Sequence, residues 1–74
     1  MSTTNLLEIL AREIDRVVEI KAIYESLDGK AGVNVRPALA MMQLSLNDAR
    51  LAMANADVIA MARAIKDLKE YENQ

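Results

Sequence analysis

The 74-residue chain has no cysteine, no histidine, no tryptophan and no phenylalanine. Without cysteine there is no disulfide to brace a small domain, no thiolate metal site, and nothing that points to an oxidising compartment. The joint absence of histidine and cysteine removes the His general base, the Cys nucleophile and the ordinary zinc site. Aromatic residues make up only 3% of the chain, as Tyr24 and Tyr71. Leu, Ile, Val, Met and Ala must therefore build the core, which favours helices over a β-sandwich. No apolar run approaches the roughly 20 residues of a membrane span. The opening MSTTNLLEIL lacks the basic region and small-residue cleavage site of a signal peptide, so a cytoplasmic location is the expectation. Nine basic and eleven acidic residues are spread along the chain for a net charge of −2. A nucleic-acid binder usually shows a basic excess or stripe, so DNA binding through a helix pair is the least favoured reading.

What the chain does have is apolar residues, 53% by composition, with alanine, leucine and methionine prominent among them. The stretch 37–54, PALAMMQLSLNDARLAMA, reads as a helix with almost no polar face. At 100° per residue Leu39, Met42, Leu46, Ala49 and Met53 form one stripe. Ala40, Leu44 and Leu51 form a second on the other side, with Met41 between. A helix apolar nearly all round has to be covered on more than one side, which predicts that it lies in the centre of a bundle.

A first helix is expected over 4–27. Leu7, Leu10, Ile14, Val17, Tyr24 and Leu27 share an arc, edged by Leu6, Ile9 and Ile20, while Glu8, Arg12, Asp15, Arg16 and Glu19 lie opposite. Thr4 or Asn5 is the expected cap, with Glu8 placed as in a capping box. Asp28-Gly29 ends this helix, since glycine can take the left-handed conformation. Pro37 suits the first turn of the next one, with Asn34 the better cap and Arg36 the better steric boundary. Around 55–57, Asn55 is expected as a left-handed cap and Asp57 as the N-cap of a third helix over 57–72. Its repeat is Val58, Met61, Ile65 and Leu68. One continuous helix over 37–72 is the rival reading. The fold expected is thus all-α, a short three-helix bundle of one domain, completed by oligomerisation.

Little in the chain could carry chemistry. Ser2, Ser26 and Ser45 have no base beside them, and Ser45 reads as a small polar residue at a helix edge. Glu8, Asp15 and Glu19 share a face, but Arg12 and Arg16 sit among them, as on a self-neutralising surface. No Glu-x-x-His pair exists for a di-metal bundle, and no cofactor is expected. Gly29, Lys30 and Gly32, followed by Arg36 at a helix start, could offer backbone N–H groups and two cations to an anion or nucleotide. This is not a P-loop, having neither the Lys-Ser/Thr after the second glycine nor a preceding strand. The plain alternative is a helix connector that needs two flexible residues.

Three helices of this length cannot readily bury every apolar residue, and Met41, Leu44, Leu51 and Ile59 are the expected surplus. Covering them through a second copy is the simplest outcome, a two-fold homodimer. The contact is expected at Met41, Leu44 and Leu51, or at Leu6 and Ile9 on the margin of the first helix.

Residues 24–32 (YESLDGKAG) and 54–72 (ANADVIAMARAIKDLKEYE) resemble segments of small all-helical proteins encoded in phages and prophages. The shared features are a tyrosine-containing helix end, a glycine-bounded loop and a last helix after a small-residue/Asp turn. Where such a relative has Gly before the Asp, this chain has Ala56. The resemblance implies no activity. It implies an accessory protein that binds, for example to a host protein.

Overall fold

The computed structural model describes residues 3–30, 32 and 34–71. It consists of three helices, α1 (Thr3–Leu27), α2 (Arg36–Ala54) and α3 (Val58–Lys69), so the rod reading of 37–72 is set aside. Each helix packs against both of the others. α2 is therefore not the centre of the bundle, as its two apolar stripes suggested, but one of three equivalent walls. Only one of its stripes is covered. Met42, Leu46 and Ala49 are buried against Leu10, Val17 and Ile20 of α1 and Met61 and Leu68 of α3.

The helices differ in length, at 25, 19 and 12 residues. At 1.5 Å per residue α1 alone runs about 37 Å, which accounts for most of the 46 Å long axis of a body only 18 × 15 Å across. Since the chain reverses at each connection, α3 runs parallel to α1 and lies beside its first half.

The break between α2 and α3 has a definite cause. Asn55 stays right-handed at φ −87°, contrary to the expected left-handed cap. The left-handed residue is Ala56, at φ +51°. Its N–H donates to the Met53 carbonyl at 3.1 Å, and the Asp57 N–H donates to the Ala52 carbonyl at 3.2 Å. These are the two bonds of a Schellman motif, built on alanine where glycine is usual. Asp57 then caps α3 as expected, its carboxylate accepting from the Ala60 N–H at 3.1 Å.

Other boundaries differ from the expected ones. α1 already includes Thr3, so Asn5 lies inside the first turn and the helix cap falls outside the described residues. α2 starts at Arg36 with Val35 at its N-cap and no side-chain cap bond. Asn34 instead accepts from the Arg36 N–H at 3.3 Å, and Val35 is buried. Pro37 falls in the first turn, as expected. α3 ends at Lys69, with Glu70 as its C-cap, short of the expected 72; residue 72 itself lies outside the described residues.

Candidate functional site

Four large apolar side chains stand out of the bundle on α2 and the start of α3. They are Met41 at 58% exposure, Leu44 at 61%, Leu51 at 60% and Ile59 at 66%. Leu44 and Leu51 are seven residues apart, two turns, and so lie on one face. Asp48 sits between them on that face and sets a charge within the apolar stripe. By contrast Leu6 and Ile9 are half-buried, and Leu6 packs against the core. That margin of α1 offers little uncovered surface.

Beside this stripe an open groove of about 450 Å³ runs between α2 and α3. Asp48, Asp57 and Asp67 line it together with Arg63, Ile59 and the methyl groups of Ala60 and Ala64. The alanines leave room because α3 meets α2 there through small residues: Ala52 and Ala49 on one helix, Ala64 on the other, are all buried. Among the described residues neither Asp48, Asp67 nor Arg63 enters an ion pair. The groove thus carries three carboxylates against one guanidinium.

At the other end, the described polar groups of the loop bond within the chain. Gly29 and Gly32 take φ of +80° and +76°, as their expected role in the turn requires. The Lys30 N–H donates to the Leu27 carbonyl at 3.1 Å, and the Arg36 N–H is used by Asn34. The Arg36 guanidinium stands 3.8 Å from Asp28. The amides of Lys30 and Arg36 and one of the two cations are therefore engaged within the chain.

Two polar contacts were not legible from spacing. Arg16, placed on the solvated face by its periodicity, donates to the carbonyls of Leu68 (2.7 Å) and Tyr71 while holding Glu13 at 2.9 Å. Ser45, expected at a helix edge, is buried, and its hydroxyl lies 2.9 Å from that of Tyr71. Lys21 and Glu25 form an i,i+4 pair at 3.5 Å. Among the described residues no group of acidic side chains is arranged to hold a metal ion, and no helix is long and apolar enough to cross a membrane.

No protein-family model matches the chain, and no curated protein or solved structure matches it either. The stripe and the groove have to be read on their own chemistry.

Proposed function

We propose that this is a non-enzymatic protein that works by binding another protein, with the outer face of α2 and the start of α3 as its contact surface. The observation that carries this reading is the exposure of Met41, Leu44, Leu51 and Ile59 at well over half each, the highest among the described large apolar side chains, with the first three on one face of α2. Apolar residues exposed singly need no explanation, but a run of them along a helix face costs solubility unless it is used. A phage accessory factor acting on a host protein is one setting in which such a surface would serve. The test is capture on immobilised protein, wild type beside Leu44→Glu and Leu51→Glu. Both variants keep the core intact, so a true partner is retained by wild type and lost by both. Equal retention by all three overturns the reading.

Self-association is a second reading, favoured by the bundle's unequal helices. The accessible surface is 5059 Å², against roughly 4,500 Å² for a compact monomer of this mass. Part of the excess lies where α3 stops. α3 ends level with Arg16 of α1 and Ser45 of α2. Beyond that level Ile23, Leu27 and Met41 remain 47%, 42% and 58% exposed. A second copy seated there would complete the shorter side of the bundle.

A further inference from the structure

The groove between α2 and α3 gives the proposed contact face a chemical preference, one that rests on that face being a protein-binding surface. We infer that its partner is a basic amphipathic helix, two apolar side chains about two turns apart with lysine or arginine between them. Leu44 and Leu51 would receive the apolar pair, since their seven-residue separation spans about 10 Å along the axis. Asp48 stands between them and opens onto the groove, where Asp57 and Asp67 add two more carboxylates and Arg63 returns one positive charge. A cationic side chain lying over Ala60 and Ala64 therefore finds a net negative wall on both sides, with its stem against methyl groups and Ile59. One oxygen of Asp57 already accepts from the Ala60 N–H, which leaves the second for the incoming cation.

Charge also decides against the other occupants. A phosphate-bearing surface, nucleic acid or anionic lipid, meets three carboxylates and is repelled. A second copy laid antiparallel along α2, with Leu44 on the second copy's Leu51, brings the two Asp48 carboxylates together near the two-fold axis. Like charges in such a seam oppose association unless a cation is interposed. The face that looks self-complementary in its leucines is not so in its charge.

The probe is a labelled amphipathic peptide of about fourteen residues, with two leucines two turns apart and arginines between them, read by fluorescence anisotropy against the whole 74-residue chain. A twin peptide carries glutamate in place of arginine. The arginine peptide should bind at least roughly tenfold tighter, and Asp48→Asn should weaken it about fivefold while leaving the thermal midpoint unchanged. Raising salt should narrow the gap between the peptides. Equal binding of both peptides, lost in Leu44→Glu, overturns the charge preference and leaves the contact face standing. Binding of neither overturns both. A wild-type dimer that tightens in Asp48→Asn would show that a second copy covers this face and would also overturn the inference.

Discussion

Nη2 of Arg16 lies 2.7 Å from the Leu68 carbonyl, joining the middle of α1 to the last turn of α3. A second donor of the same guanidinium reaches the Tyr71 carbonyl. The Leu68 carbonyl also accepts from the Tyr71 N–H at 3.1 Å, so the guanidinium is its second donor, placed at the negative end of the helix dipole. Lys66 and Lys69 lie in the same last turn. Arg16 thus acts as a tertiary C-cap, and Glu13 holds its planar head in place.

Replacing Arg16 with methionine keeps the stem and removes the fork. Hydrogen bonds from a charged donor are worth about 1.5–3 kcal/mol, and partial exposure of this side chain lowers that to about 1–2 kcal/mol. For a domain of this size the thermal midpoint should fall by about 5–12 °C in circular-dichroism melting. Arg16→Lys should recover less than half of the loss, because an ammonium cannot serve two carbonyls and a carboxylate in one plane. Full recovery by lysine would mean that charge alone is at work.

Ser45 and Tyr71 form the other pair that ties α3 down. Ser45→Ala and Tyr71→Phe should each cost about 1 kcal/mol, and the double variant little more than either alone. Urea unfolding of the four proteins gives the coupling. Strict additivity would mean that the 2.9 Å contact carries no energy.

The turn at 55–57 predicts a gain. A non-glycine residue held left-handed costs about 1–2 kcal/mol, while glycine loses about 0.4–1 kcal/mol more chain entropy on folding. Ala56→Gly should therefore stabilise the protein by about 0.5–1 kcal/mol, and Ala56→Val should destabilise it. A fall in midpoint for Ala56→Gly would contradict the strain assigned to φ +51°.

Legibility in the sequence tracks the range of each signal. The three helices come from apolar spacing and stop residues, which are local, and both survive in the structure. The cap at Asp57 is local too, since its carboxylate reaches only three residues ahead. Periodicity misplaces α2 because it reports which faces are apolar, not which are covered. In a bundle where each helix packs on the other two, α2 turns only one arc to its neighbours, so its second stripe stays outside even where α3 runs beside it. Position on their own helix face likewise misassigns Arg16 and Ser45. Their partners lie 52 and 26 residues away, so no spacing rule could find them. Nor could the acidic groove be seen, because Asp48 and Asp67 come together only when α2 and α3 pack antiparallel.

The unequal helices allow a last prediction, on assembly. α1 continues eleven residues past Arg16 to Leu27, about 16 Å of helix with no α3 beside it. Two hairpin ends of that length, packed groove to groove, cover only about 600–800 Å² in total, below what a stable dimer needs. Any self-association there should be weak, with a monomer dominating at low micromolar concentration. Light scattering coupled to size exclusion should show the mass rising from near 8.2 kDa only at hundreds of micromolar. Ile23→Glu should abolish that rise without lowering the thermal midpoint, since the side chain is nearly half exposed. Leu46→Glu, at a fully buried position of α2, should unfold the monomer instead. A tight dimer at one micromolar, insensitive to Ile23→Glu, would mean that the second copy sits on some face other than the uncovered end of α1.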